Sequence, residues 1–205
     1  VIQHFSSLDA CIQYVKSTYP SSDRFQLTTA KDIESGKKIS VDVPSYLYRG
    51  ESSSYLTTTS TMHRLKNNKE LSSDVRKTIE STTSQLDKAL QDFMNLNPML
   101  SAGFLQHYGA PTELLDVSSS IEVAAFFGTG EVNNTGLFCV FSVAEVASKS
   151  IIIDLTQHPG AERPQRQHAY GFFSRHHFDL KSDEAIADLQ LKWFSFALTE
   201  SDQIK

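Results

Sequence analysis

The chain has 205 residues, of which 40% are hydrophobic and 21% charged, and its 19 basic and 24 acidic side chains give a formal charge of -5. This size and composition are those of an ordinary globular domain that buries its own core. The acidic balance argues against a protein that coats duplex DNA, because such binding relies on clustered Lys and Arg. No run approaches 18 apolar residues, so the sequence predicts no transmembrane helix and no membrane partner.

The beginning of the chain and its two cysteines bear on where the protein works. Residues 1–11 carry Asp9 and no basic leader, so we expect no signal peptide. The missing initial Met is expected of a fragment or a processed form. Cys11 and Cys139 both lie among apolar residues, which is typical of buried thiols in a reducing compartment. We therefore expect a cytoplasmic protein.

The first quarter of the chain predicts a helix, a turn and a short strand. Apolar residues recur at three- and four-residue spacing in the helix, which Ser6 or Ser7 can cap and which Pro20 ends. A turn-rich stretch follows at residues 32–38. A short strand is then predicted at residues 46–49.

Three more helices are predicted in the middle of the chain. The first is a long amphipathic helix at residues 73–96. A short helix follows at residues 99–108 and can end at Gly109. The third begins at Ser119, where Glu122 three residues later completes a capping box. The apolar stripe of the long helix consists of Val75, Ile79, Leu86, Leu90 and Phe93.

Strands dominate the last third. Four segments are rich in β-branched and aromatic residues, namely residues 136–143, 150–155, 170–175 and 189–198. In the last segment Phe194, Phe196 and Leu198 alternate onto one side. The sequence therefore predicts an α+β fold, with helices in the N-terminal two thirds and mainly antiparallel strands in the C-terminal third. We expect a single domain over residues 1–205, with its motifs between about residues 45 and 175.

The block QHYGAPTELLD at residues 106–116 carries the most concentrated polar chemistry. His107 lies at a predicted helix end, beside a Gly-x-Pro turn that lets its ring face a cleft. Asp116 follows two leucines, where a partly buried carboxylate needs partners. A hydrogen bond between the two side chains would make His107 a general base or would form a purely structural pair, and the sequence leaves both open.

Two arginine-containing segments could bind an anion. Arg49 ends a predicted strand and can reach a phosphate or carboxylate with two parallel hydrogen bonds, or it can form a salt bridge with Asp116 or another acid. Arg163 and Arg166 precede an aromatic strand together with Gln167. Their guanidinium groups can stack on a base, or the segment can be a solvated loop.

Hydroxyl and imidazole groups form two weaker patterns. The hydroxyl-rich run at residues 57–61 could hydrogen-bond a ribose or phosphate, or it could simply decorate a strand edge. His176 and His177 are adjacent, and adjacent strand residues point to opposite faces. Because the sequence also lacks CxxC and HExxH spacings, we expect no metal.

Two of these motifs together resemble the FRG domain family. Tyr48-Arg49-Gly50 is similar to the aromatic, Arg, Gly motif after which the family is named. Residues 106–116 are similar to its QHxGxPTRLLD block at every position but one, because Glu113 stands where the family usually has Arg. Val117 stands where the family commonly has Trp.

Further segments extend the resemblance over roughly residues 45–175. Residues 124–127 resemble the family's Ala-rich helix with Phe, and Arg64 resembles its Arg between the first two motifs. Arg166 and Gln167, before a Gly-Phe pair, resemble its late Arg-Gln motif.

The resemblance implies a bacterial protein that works as a toxin or phage-defence effector. Its early Arg and hydroxyl run are similar to the layout of ADP-ribosyltransferases, although this chain has no clean late Gln-x-Glu motif. The implied function is therefore an NAD- or nucleotide-using transferase with a protein or nucleic-acid acceptor. The alternatives are a non-catalytic module that binds a nucleotide or a nucleic-acid end, and a polar core network that only stabilises the fold.

Roles for individual residues follow from that resemblance. His107, Asp116 and Glu113 are the implied catalytic groups: His107 hydrogen-bonds the ribose or acts as base, Asp116 orients His107 or Arg49, and Glu113 adds an acid or reverses a salt bridge. The implied ligand-binding residues are Arg49, Gln106, Arg64, Arg166 and Gln167, with Arg49 clamping the pyrophosphate. NAD is the implied cofactor.

Overall fold

The structure is a computed structural model that describes most of the chain in several ranges. The described residues are 2–31, 38–51, 56–66, 98–107, 109–129, 135–157 and 162–198, with the single positions 77, 81 and 92. The chain divides into two compact units. The first unit comprises residues 1–55, 119–149 and 183–205, and the second comprises residues 56–118 and 150–182. That the whole chain is a single domain stays a prediction.

Strands and helices alternate irregularly along the described residues. The strands are β1 (Ile2–Phe5), β2 (Arg24–Lys31), β3 (Lys38–Pro44), β4 (Tyr46–Glu51), β5 (Leu115–Ser118), β6 (Thr135–Ser142), β7 (Ser150–Asp154), β8 (Ala169–Ser174) and β9 (Lys192–Ala197). The helices are α1 (Leu8–Thr18), α2 (Thr61–Lys66), α3 (Pro98–His107), α4 (Ile121–Gly128), α5 (Val143–Val146), α6 (Glu162–Arg166) and α7 (Asp183–Asp188). A 3-10 turn covers Leu155–Gln157. The predicted α+β class is confirmed.

The first unit packs α1 and α4 on a sheet with the strand order β1-β9-β6-β4. β1 runs parallel to β9, and the other pairs are antiparallel. Phe194, Phe196 and Leu198 all lie in its buried core, as their alternation predicts. β2 and β3 form a separate antiparallel hairpin in this unit.

Packing in the first unit explains why the Tyr48-Arg49-Gly50 motif has Tyr at its first position and Gly at its last. Tyr48 is buried, and its hydroxyl donates a 2.5 Å hydrogen bond to the carbonyl oxygen of Tyr19 after α1. Gly50 lies where α4 crosses β4 closely: a Cβ atom there would overlap the carbonyl oxygen of Ala124 and lie 2.6 Å from the backbone nitrogen of Gly128. Only glycine fits this crossing without moving the helix.

The second unit contains an antiparallel sheet with the strand order β5-β8-β7, against which α3 packs. α3 ends in a Schellman motif, in which Ala110 N–H donates to Leu105 O and Gly109 N–H donates to Gln106 O, both at 3.0 Å. Gly109 has a φ of 96°, a left-handed conformation that favours glycine. The sequence prediction that Gly109 ends this helix is confirmed.

Helix caps agree with the sequence to within one residue. Ser7 caps α1, where its side-chain oxygen accepts a hydrogen bond from Ala10 N–H. The predicted capping box at Ser119 is wrong by one position, because α4 begins at Ile121 and its cap is Ser120. The Ser120 hydroxyl accepts from Val123 N–H and donates to Glu122. A run of consecutive serines offers several equivalent caps, and packing of α4 selects among them.

Strands are not confined to the last third, because β1 to β5 all precede residue 119. β3 and β5 alternate apolar and polar residues, as β2 does at its start, and this is the pattern of a half-buried strand, so the sequence carried a signal for them that was not used. The long helix predicted at residues 73–96 lies largely outside the described residues. Lys77, Ser81 and Asp92 in that stretch are described as helical and exposed.

The close crossing at Gly50 predicts a large effect of a single methyl group. Gly50→Ala should destabilise the chain by about 3 kcal/mol or more, because the backbone of α4 must move. Gly109→Ala is the matched comparison, since space around Gly109 is open and only its positive φ opposes the change, at about 1–2 kcal/mol. Urea unfolding measures both. Equal losses for the two variants would contradict a rigid crossing.

Candidate active site

His107 occupies the last turn of α3 and is buried. The carbonyl oxygen of His107 accepts a 2.8 Å hydrogen bond from the Nη1 atom of Arg163. Carbonyl groups in the last turn of a helix have no partner within the helix, so Arg163 satisfies one of them and places its positive charge at the negative end of the helix dipole. Arg163, which lies on α6, thus fixes the end of α3 at His107.

Asp116 on β5 carries an acidic side chain close to the His107 ring. His107 Nε2 lies 3.7 Å from Asp116 Oδ1. This distance is beyond a normal hydrogen bond but within reach of a direct electrostatic interaction. The two side chains differ in exposure, at 4% for His107 and 45% for Asp116. Asp116 is therefore the more exposed member of the pair, although its Oδ1 atom, which faces His107, is buried.

Burial lowers the pKa of His107 below its ordinary value of 6.5. Asp116 raises this pKa, whereas the positive charge of Arg163 lowers it. A hydrogen bond with the side chain of Gln167 also raises the pKa of His107, yet burial outweighs both raising effects. His107 is consequently neutral at pH 7, and its Nε2 atom has no hydrogen-bond partner among the described residues.

Gln167 and Gln106 take different positions around His107. The carbonyl oxygen of Gln167 accepts a 2.8 Å hydrogen bond from the Ser118 hydroxyl on β5, so its segment is tied to the same strand as Asp116. Gln106 instead accepts a short hydrogen bond from the hydroxyl of Thr112, whose oxygen in turn accepts from Leu114 N–H at 3.2 Å. Gln106 therefore braces the turn that leads into β5.

Arg166 and Arg64 do not join the His107 group within the described structure. The Arg166 side chain is 82% exposed and lies 3.7 Å from the Glu162 carboxylate, one helical turn earlier. Arg64 is exposed on α2 and donates a 3.1 Å hydrogen bond to the hydroxyl of Thr61. Their predicted ligand-binding roles stay predictions.

Glu113 lines a pocket together with Leu115, whereas Asp116 is not part of its lining. Phe172 pairs directly with Leu115 and also lines the pocket. We call this the aromatic pocket; its lining is Ser60, His63, Glu113, Leu115, Phe172, Phe173, Ser174, His177 and Phe178. Of the three implied catalytic side chains, the structure therefore places His107 beside Asp116 and Glu113 in the aromatic pocket.

Arg49 belongs to the first unit, in which its Nε atom lies 3.5 Å from Glu51 Oε1. The Glu51 side chain is only 4% exposed, so this arginine neighbours a buried carboxylate that the sequence did not single out. His107 and Asp116 belong to the second unit. The expected convergence of Arg49 with these two residues stays a prediction.

The hydroxyl run at residues 57–61 begins α2 rather than lying along a strand edge. Thr58 N–H donates a 2.8 Å hydrogen bond to Asp179 Oδ1, and Thr58 O accepts from Leu180 N–H at 3.1 Å. The Ser60 hydroxyl oxygen accepts from His63 N–H at 3.3 Å, as a helix cap does. The expectation of strand-edge decoration is therefore wrong, whereas a role in ligand binding stays a prediction.

Arg163 is the site residue that the sequence noted but left out of the implied ligand set. A signal was available, because Arg163 and Gln167 are four residues apart and a helical turn brings such residues to one face. The hydrogen bond from Gln167 N–H to Arg163 O, at 3.1 Å, closes that turn. His63 and Phe178 carried no comparable signal, since they are far apart in the chain.

The described residues contain neither a cluster suited to a metal ion nor a helix suited to a membrane. No group of three His, Cys, Asp or Glu side chains there is placed to hold a metal ion. No helix in those ranges is both long and apolar enough to cross a membrane. Cys11 and Cys139 are both buried and form no disulfide, and burial raises the pKa of the Cys11 thiol to about 12.

Comparison with known proteins finds a family match over part of the chain. Residues 44–136 match the FRG domain, a range that includes Tyr48-Arg49-Gly50 and the block at residues 106–116. The resemblance seen in the sequence is thus confirmed. No curated protein and no solved structure shows significant similarity to the chain, so the likeness to ADP-ribosyltransferases stays a prediction.

Acidification should destabilise the folded chain through His107. Because the pKa of His107 in the folded state is below 6.5, the unfolded state takes up this proton first as the pH falls. Above about pH 6.5, the folded chain keeps the full stability that a neutral His107 allows. Below that pH, this stability is lost progressively. Between about pH 7 and about pH 5, the wild-type chain should lose more unfolding free energy than His107→Gln. Urea titrations test this, and the exposed His176→Gln serves as control, which should behave like the wild type.

The charges around His107 should shift its pKa in opposite directions. Asp116→Asn removes a negative charge and should lower the pKa of His107 further, whereas Arg163→Met removes a positive charge and should raise it. NMR titration of the imidazole resonances measures both shifts. Arg166→Met is the matched control, because its side chain is 82% exposed. Shifts of the same sign in the first two variants would contradict the arrangement described.

Proposed function

We propose that the chain, whose residues 44–136 match the FRG domain, is a cytoplasmic transferase that uses NAD or a related nucleotide. The proposal includes a role as a bacterial toxin or defence effector with a protein or nucleic-acid acceptor. Its main support is the pairing of a half-exposed Asp116 carboxylate with a buried, neutral His107 at 3.7 Å. Paired titratable groups with different environments are typical of catalytic sites.

The exposure of the His107 and Asp116 side chains favours roles that differ from those that the family resemblance implies. Asp116 is accessible and would face the substrate, whereas His107 is nearly inaccessible. His107 would then act as a positioning residue that sets the orientation and electrostatic surroundings of the carboxylate. Arg163 and Gln167 hold the His107 backbone and ring in turn.

A carboxylate in this position suits the transfer of a ribosyl group. NAD, when bound, supplies a ribose joined by a glycosidic bond to a positively charged nicotinamide, which is a good leaving group. Positive charge builds up on the ribose as that bond breaks, and the fixed negative charge of Asp116 would stabilise it. The neutral His107 behind Asp116 adds no competing positive charge.

One observation favours the second candidate, a module that binds a nucleotide without turnover. The 3.7 Å separation of His107 Nε2 and Asp116 Oδ1 is longer than the hydrogen bond that usually links a catalytic base to its orienting group. A binding module predicts that NAD or ADP-ribose raises the melting temperature while no nicotinamide is released.

Release of nicotinamide from labelled NAD, with cell extract as the source of acceptor, tests the proposed reaction. Asp116→Asn should lower the rate about a hundredfold or more, because it removes the charge with almost no change in shape. Asp92→Asn is the matched control, since Asp92 is an exposed helical residue, and it should keep the wild-type rate.

Each outcome decides between the candidates. Equal rates for Asp116→Asn and the wild type would exclude the role of this carboxylate. A wild-type chain that shows no release but melts at a higher temperature with NAD would establish the binding module instead. Circular dichroism of both variants separates loss of activity from loss of fold.

A further inference from the structure

Neither His107 nor Asp116 lines the aromatic pocket, so the proposed transfer site does not include it. The pocket is shallow: its enclosed volume is only about 20 Å³, and the wider 350 Å³ of empty space includes open solvent. A ligand would therefore lie largely at its surface, with one flat face against the lining.

Flat aromatic surfaces form one wall of the pocket. The rings of His63 and Phe178 are stacked with their centroids 4.8 Å apart and an interplanar angle of 12°. Phe178 is nevertheless 59% exposed, which is a large fraction for a phenylalanine in a folded chain. A planar ring that enters the pocket would extend this stack and cover the exposed ring of Phe178.

Two serine hydroxyls in the lining are held in the same way. The Ser60 oxygen accepts from His63 N–H at 3.3 Å, and the Ser174 oxygen accepts from His177 N–H at 3.0 Å. Each oxygen is thereby oriented by the backbone three residues later, and its own O–H group remains able to donate. The pocket thus combines hydroxyl donors with the carboxylate of Glu113, which accepts.

The charge of the lining selects against phosphate. Glu113 brings a negative charge, and the described lining contains no Lys or Arg. Phosphate is usually bound by Arg or Lys side chains or by backbone N–H groups, and this lining contains neither Arg nor Lys. A ring with N–H or amino donors and a neutral or positive charge matches the lining better.

We infer that the aromatic pocket is a binding site for a nucleobase. The base would stack on Phe178, donate an amino or ring N–H hydrogen bond to Glu113, and accept from Ser60 or Ser174. The sugar and any phosphate would remain outside the pocket, in solvent. This inference rests on the pocket alone and holds whether or not the chain transfers a ribosyl group.

Calorimetric titration of the full 205-residue chain with adenosine, guanosine and cytidine tests the inference. Ribose 5-phosphate serves as a probe without a base. Saturable binding of a nucleoside, without binding of ribose 5-phosphate, is expected. Binding of ribose 5-phosphate alone, or of no probe at all, would overturn the inference. A single-stranded oligonucleotide that binds more tightly than the nucleosides would support it and would identify nucleic acid as the source of the base.

Phe178→Ala should weaken nucleoside binding roughly tenfold, in keeping with the usual effect of removing a base-stacking aromatic. Phe126→Ala is the matched control, because Phe126 is 56% exposed on α4 of the first unit and should leave the affinity unchanged. Phe178→Leu repeats the test with an apolar side chain, should the alanine variant fail to fold. Affinity that is equal in all these variants would refute stacking on Phe178.

Glu113 provides an independent check of the polar contact. Glu113→Leu should weaken nucleoside binding roughly tenfold or more, because a hydrogen bond to a charged acceptor is lost. Glu113→Gln retains an acceptor oxygen and should bind a neutral base more tightly than the leucine variant does. Glu113 is exposed, so neither change should unfold the chain. Wild-type affinity in Glu113→Leu would contradict the proposed contact.

Discussion

The turn between α3 and β5 determines where His107 and Asp116 lie relative to each other. Gly109 adopts a φ of 96° that ends α3 in a Schellman motif, and the hydrogen bond between Thr112 and Gln106 holds the following residues against the helix end. The chain can therefore reverse within a few residues and enter β5 at Leu115. A helix end and a strand start are thereby brought together, which places the His107 ring beside Asp116.

Neighbouring residues at the start of β5 belong to different sites. Asp116 lies beside His107, whereas Leu115 and the preceding Glu113 line the aromatic pocket. The two sites differ in electrostatic character. Burial keeps His107 neutral beside an accessible carboxylate, while the aromatic pocket joins a carboxylate to stacked rings. One short strand thus supports a proposed transfer site and a proposed base-binding site.

Burial outweighs charge at His107, and this balance shapes the role that we propose for it. A nearby carboxylate would make an exposed histidine easier to protonate. The His107 side chain is only 4% exposed, so the loss of hydration disfavours the charged ring more strongly than Asp116 favours it. Arg163 adds to that effect while it caps the helix end. The accessible group at this site is consequently the carboxylate.

Local patterns in the sequence were enough to predict the α+β class, the first helix, the end of α3 and the FRG resemblance, because caps, glycine turns and apolar spacing depend on near neighbours. They also indicated the pairing of His107 with Asp116. Only the tertiary structure showed that Gly50 is required by the crossing of α4, and that Glu113 lines a pocket to which Asp116 does not contribute. It also brought His63 to Phe178. These arrangements depend on contacts between residues far apart in the chain, on which local spacing carries no information.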